Sequence, residues 1–150
     1  MKIAVEIGTH LVLDGYSESE ALLSNPNLVY QFLDTFPGEM GMTKVLPPFV
    51  FPHKGEDHLE QEGISGIVII SESHISIHTF PLRKYLSLDI FSCKPFDVEK
   101  ATEHLVQFFG LTSFSKQVLD RGFEYPKSLG FSLPLLVEER KESLEKMAHT

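Results

Sequence analysis

The sequence predicts an α+β fold: a two-layer sandwich in which a mostly antiparallel sheet carries its helices on one face. Three observations predict it. Residues 64–71 (ISGIVIIS) form a β-branched run of strand length, while residues 74–80 (HISIHTF) and 85–92 (YLSLDIFS) alternate with the period of a half-buried strand. The PLRK segment between the last two is of hairpin length. Two other stretches, residues 17–36 and 97–109, carry helix signals instead.

Taken in order, residues 9–16 (THLVLDGY) read as a first strand with imperfect alternation. The following stretch turns helical, with Leu28, Phe32 and Leu33 at a 3.6-residue spacing. Pro26 suits a helix first turn, and Pro37-Gly38 suits its end. Residues 43–51 (TKVLPPFVF) look extended, but Pro47 and Pro48 cannot donate ladder hydrogen bonds, so an edge or bulged strand is expected. Residues 52–63 (PHKGEDHLEQEG) are polar and form the clearest loop. After the three central strands, Asp97 offers an N-cap to a helix through Phe109 that Gly110 closes. Residues 112–120 give a last alternating strand. From Leu133 to Met147, one helical face carries Leu136, Val137, Arg140, Leu144 and Met147, to pack on the core or on a second subunit. The expected organisation is a domain over residues 1–126 and a helical extension over 127–150.

Composition narrows the function. The chain has 150 residues, 42% hydrophobic and 23% charged, which is ordinary for one soluble domain that needs no disulfide or metal to fold. Thirteen Lys+Arg against 21 Asp+Glu give a net charge of −8 with no basic block, so a nucleic-acid surface is not expected. No apolar run approaches the roughly 20 residues that span a bilayer. The first ten residues, MKIAVEIGTH, lack the apolar core of a signal peptide. A single cysteine, Cys93, excludes an internal disulfide framework and suits a reducing, cytoplasmic compartment.

The unusual feature is a polar cluster where a sheet core should be. Ser71-Glu72-Ser73-His74 interrupts two apolar strands, and His78 and Cys93 follow. A tight hairpin centred between Leu82 and Arg83 would pair Ser87 with His78, Asp89 with Ser76, Phe91 with His74 and Cys93 with Glu72. That register sets the only thiol beside the Glu72–Ser73 peptide bond, unless a bulge shifts it. Three readings of these residue types stand side by side. A Cys-His pair could supply an activated nucleophile. A metal site could combine His74 and His78 with His53, Asp57 or His58, although histidines four apart on a strand lie about 13 Å apart. The polar side chains could also simply line a solvated sheet face.

The wording of the segment goes further. GISGIVIISESHISIHTFP followed by LSLDIFSC, with Cys93 twenty residues after Ser73, resembles the core of the prokaryotic S-adenosylmethionine decarboxylases. The resemblance runs from GTHLVLDGY to about Pro126. These are small self-cleaving pyruvoyl enzymes of polyamine (spermidine) biosynthesis. It implies cleavage between Glu72 and Ser73, giving chains 1–72 and 73–150, with Ser73 becoming a pyruvoyl cofactor that forms a Schiff base with substrate. Ser65 and His78 match the family's processing residues, and Cys93 matches its catalytic proton donor. No metal is implied, and the expected assembly is a homodimer of cleaved chain pairs with sheets facing and helices outward.

The implied chemistry has physical reasons. A hydroxyl beside its own peptide carbonyl can convert amide to ester; the oxyanion of that step needs a donor, which Ser65 could supply. His78 can then take the α-proton of Ser73 and eliminate the ester. Addition of water with loss of ammonia gives the pyruvoyl carbonyl, an electron sink for decarboxylation. A thiol of ordinary pKa is largely protonated at neutral pH and can reprotonate the product. Two positions depart from the family pattern: Leu59 stands where an aromatic residue is common, and Leu82 where HTWPE has its glutamate. Leucine offers neither a π-face nor an acceptor for a ribose diol. Relatives that decarboxylate arginine or ornithine are therefore an alternative, and a non-processing regulatory homologue is a second.

Overall fold

A computed structural model describes residues 8–122. Six strands, β1 (Gly8–Ser17), β2 (Phe49–His53), β3 (Gly63–Ile70), β4 (Ser73–Phe80), β5 (Tyr85–Ser92) and β6 (Leu111–Arg121), form one sheet in the order β2-β3-β4-β5-β1-β6. Every pairing is antiparallel. Three α-helices, α1 (Glu20–Ser24), α2 (Pro26–Glu39) and α3 (Val98–Phe109), and two 3₁₀ turns, Leu59–Gln61 and Pro81–Arg83, complete the elements of the described residues. The two-layer α+β architecture is the expected one.

Alternation decides which face is buried. Leu11 and Leu13 of β1, Ile75 and Ile77 of β4, and Leu86, Leu88 and Ile90 of β5 point to the helices and are fully or almost fully buried. Helix α2 answers with Val29, Phe32, Leu33 and Phe36, and α3 with Ala101, Leu105 and Phe109. Phe32 sits at the centre, with ring centroids 4.8 Å from Phe36 and 5.0 Å from Phe109. The intervening residues of each strand form the opposite face, which no described helix covers.

The hairpin register is the predicted one: Ser87 faces His78, Asp89 faces Ser76 and Phe91 faces His74. A 3₁₀ turn at Pro81–Arg83 and a left-handed Lys84 (φ 53°) close it. Helix α3 also ends as predicted: the Asp97 carboxylate caps the Lys100 N–H, and Gly110 takes the left-handed conformation (φ 59°) that ends the helix without a Cβ penalty.

Other expectations are corrected. The segment 17–36 is two helices, because the Asn25 side chain caps a new start at Pro26. The buried stripe of α2 runs through Val29, with Leu28 only partly covered. Helix α2 does not stop at Pro37-Gly38; Pro37 lies inside it and the chain turns at Gly41 (φ 72°). Of the extended segment 43–51, only residues from Phe49 are strand. Thr43–Val45 makes separate bonds to the end of β3, Ser71 N–H to Thr43 O and Val45 N–H to Ile69 O. Pro52 and His53, read as loop, extend β2 at the sheet edge, where a missing donor is tolerated. The expected helix at 133–147 and the extension 127–150 lie outside the described residues.

Thr79 ties the layers together. Its buried hydroxyl donates to Leu23 O of α1 (2.7 Å) and accepts from Ile64 N–H of β3 (3.0 Å). Thr79→Val keeps the shape but strands both backbone groups. It is expected to lower unfolding free energy by about 1–3 kcal/mol in urea denaturation, with Thr79→Ser losing less.

Candidate active site

Polar side chains gather at opposite ends of β4. At its start, Ser71 and Glu72 form the two-residue turn between β3 and β4, with Ile70 facing Ser73 across it. The Glu72 side chain folds inward: it is buried, and its Oε2 accepts from the Thr43 N–H at 3.2 Å. Lys94 Nζ stands 4.0 Å from its other oxygen, exposed and therefore a weak partner. The Glu72 carbonyl oxygen accepts the Cys93 N–H at 2.8 Å. The thiol of Cys93 belongs to an exposed residue.

Ser73 opens β4 immediately after the turn. Its Oγ lies 3.1 Å from Nδ1 of His74. The His74 imidazole packs edge-on against Phe91, its cross-strand partner, at 6.0 Å between centroids. The Arg121 guanidinium covers Phe91 at 4.1 Å, and His10 leans on the same ring while pairing with Asp89 at 3.0 Å. A hydroxyl, a carbonyl already engaged by an amide donor and an imidazole therefore converge on the Glu72–Ser73 peptide. Such a set is suited to acyl transfer.

At the far end of β4, the buried Ser65 hydroxyl bridges two histidines, with Nδ1 of His78 at 2.8 Å and Nδ1 of His53 at 2.9 Å. A hydroxyl has one proton, so at least one of these nitrogens must donate to it. Burial first, then the neighbouring His78, pushes His53 below the ordinary imidazole pKa. Beside the pair opens a cavity of about 740 Å³ whose lining includes His53, Glu56, Asp57, Phe80, Arg83 and Tyr85. A second, of about 330 Å³, brings Leu59 and Leu82 together with Pro52, Glu62 and Pro81. The two leucines that depart from the family pattern are thus neighbours.

The structure brings Ser73, Glu72 and Cys93 together but does not bring Ser65 or His78 to them. Ser73 and His78 lie five steps apart along the strand, about 16 Å at roughly 3.3 Å per residue. Within one chain Ser65 bonds imidazoles, not the Glu72 carbonyl. Sequence reasoning missed the paired placement of His53 and the contact of His74 with Ser73. Strand parity carried a signal for the first: Phe49, Phe51 and His53 alternate onto one face once β2 continues through Pro52. Among the described residues no group of three or more His, Cys, Asp or Glu side chains is placed to hold a metal ion.

Residues 9–122 match the family described as S-adenosylmethionine decarboxylase. The chain belongs to that family. The S-adenosylmethionine decarboxylase proenzyme of Archaeoglobus fulgidus is 32% identical over 117 residues, covering 77% of this chain and 98% of its own. That of Thermotoga petrophila is 38% identical over 100 residues, covering 66% of this chain and 72% of its own. Among solved structures, the adenosylmethionine decarboxylase of Aquifex aeolicus superimposes with a TM-score of 0.62 over 78% of this chain and 92% of its own, at 22% identity. That likeness supports the fold.

The lowered pKa of His53 has a signed consequence. Below the ordinary imidazole value of about 6.5 the unfolded chain binds the proton that the folded chain resists. Stability from this residue is therefore complete above about pH 6.5 and declines as the pH falls toward the folded value. Urea midpoints measured at pH 7.5 and 5.5 are expected to differ in the native protein, and to differ less in His53→Gln.

Proposed function

We propose that this chain is a proenzyme that cuts itself between Glu72 and Ser73, converts Ser73 to a pyruvoyl group and decarboxylates S-adenosylmethionine. The observation that carries the reading is the Cys93 N–H bonded to the Glu72 carbonyl at 2.8 Å, beside the hydroxyl that would attack that carbonyl. Attack moves negative charge onto this oxygen, where the amide donor is already aligned. Burial of the Glu72 side chain against the Thr43 N–H keeps the turn from rotating away. The residues present therefore fit a serine-derived pyruvoyl group. Once formed, that group supplies a carbonyl conjugated to an amide, an electron sink for the bond broken in decarboxylation. Cys93 holds an accessible thiol proton for the product's α-carbon.

His78 would remove the α-proton of Ser73, which a single chain cannot arrange across about 16 Å of strand. A two-fold dimer with facing sheets resolves the distance, since it sets the start of one β4 beside the end of the other. Ser73 and Cys93 would then meet Ser65 and His78 of the partner subunit. The uncovered face supports such an assembly: Tyr16, Phe49, Phe51, Ile67, Ile69 and Leu119 lie exposed on it. Dimerisation would also bring the 740 Å³ cavity of one subunit toward Ser73 of the other. Its size suits a nucleoside, Phe80 and Tyr85 offer π-faces, and Glu56 and Asp57 offer carboxylates for a sulfonium or an amine. A polyamine-pathway role and a cytoplasmic location fit the family and the single exposed cysteine.

Arginine or ornithine is the second reading of substrate. It is favoured by the pocket containing Leu59 and Leu82, which at those two positions provides no acceptor for a diol.

Mass spectrometry of the purified protein is expected to show fragments of 72 and 78 residues, the larger lacking a free amine at its start. Ser73→Ala is expected to remain one inactive chain. A native chain that stays intact with an ordinary Ser73 would defeat the proposal and favour a non-processing homologue. Carbon dioxide release compared across S-adenosylmethionine, arginine and ornithine tests the substrate. Turnover of an amino acid without turnover of S-adenosylmethionine would reverse the assignment.

A further inference from the structure

We infer that His74 is the base that starts self-cleavage, taking the proton of the Ser73 hydroxyl as it attacks the Glu72 carbonyl. This rests on the self-cleavage reading above and assigns its first proton transfer. A serine hydroxyl is a weak nucleophile until an adjacent base accepts its proton. Among the described residues, the side chain bonded to Ser73 Oγ is His74, through Nδ1 at 3.1 Å. His78, the histidine assigned to the later elimination, is bonded elsewhere, to Ser65 at 2.8 Å. The two histidines of one strand thus face two different proton transfers.

The surroundings hold His74 for the task. Its ring stands edge-on to Phe91 at 6.0 Å, and Phe91 is itself covered by Arg121 at 4.1 Å. With the imidazole protonated on Nε2, Nδ1 accepts from the Ser73 hydroxyl. The proton balance then closes within the turn. The Oγ–H proton passes to His74 Nδ1 while Oγ bonds to the Glu72 carbonyl carbon, and the resulting oxyanion rests on the Cys93 N–H. Collapse of that intermediate breaks the bond from the carbonyl carbon to the Ser73 nitrogen. The His74 imidazolium returns its proton to that nitrogen, leaving an ester and a free amine. No water, metal or oxidant is required.

The test uses full-length His74→Ala and His74→Phe, the second retaining an aromatic ring against Phe91 without a basic nitrogen. Thermal melts establish which variants fold. Self-cleavage is followed by mass spectrometry with and without imidazole, and hydroxylamine probes for accumulated ester. General-base loss typically costs a factor of 10²–10⁴, so both variants are expected to cleave about 100-fold or more slowly than native. Imidazole is expected to restore part of the rate in His74→Ala. Hydroxylamine is expected not to cut either variant, because no ester has formed, whereas His78→Ala, blocked after that step, is expected to be cut at Glu72–Ser73. Cleavage of a folded His74 variant at the native rate, or a hydroxylamine-labile ester accumulating in it, would overturn the assignment alone. A native chain that never cleaves would overturn it together with the proposed function.

Discussion

The hydrogen bond from the Cys93 N–H to the Glu72 carbonyl continues the β4–β5 ladder one step past its last paired residues, Ser73 and Ser92. Everything proposed for the Glu72–Ser73 peptide depends on it, because it places an amide donor on the carbonyl that would accept negative charge. The bond exists only in this register. Shifting either strand by one residue would turn Ile75, Ile77, Leu86, Leu88 and Ile90 out of the core as well as moving the donor. The hydrophobic layer under α2 and α3 therefore fixes where that amide donor stands. Core packing and site geometry are the same constraint seen from two faces of one sheet.

A second constraint comes from strand rise. Ser73 and His78 open and nearly close β4, so their separation is set by the backbone and no side-chain rotation removes it. The polar residues divide into two clusters: Glu72, Ser73, His74 and Cys93 at one end, and His53, Ser65 and His78 with the larger cavity at the other. Each is internally well bonded. The proposed facing dimer follows from this division, since a single two-fold axis would complete two sites at once.

Much of this was legible in residue order. The alternation of HISIHTF against YLSLDIFS and the short PLRK turn were enough to pair Cys93 with Glu72, and Asp97 and Gly110 marked both ends of α3. What could not be read came from contacts distant in sequence or from local exceptions. Residues 52–63 are polar and read as one loop, yet at a sheet edge the missing N–H of Pro52 costs no ladder bond, so His53 was hidden inside an apparent loop. Simple alternation sends Ser73 and His74 to opposite faces, and only the start of a strand beside a two-residue turn lets their polar atoms meet. The family resemblance implied processing roles for Ser65 and His78 but not their distance from Ser73 within a chain. That distance is what turns a list of residues into a claim about assembly.

The most direct measurement is therefore complementation. His78→Ala and Ser73→Ala chains, each tagged differently and each expected to remain unprocessed alone, are unfolded, mixed and refolded together. A shared site predicts that the His78→Ala chain forms its 72- and 78-residue fragments only in the mixture, because the Ser73→Ala partner supplies the missing histidine. Absence of cleavage in a mixture shown to contain heterodimers, or complete processing of His78→Ala by itself, would contradict a site built across two subunits.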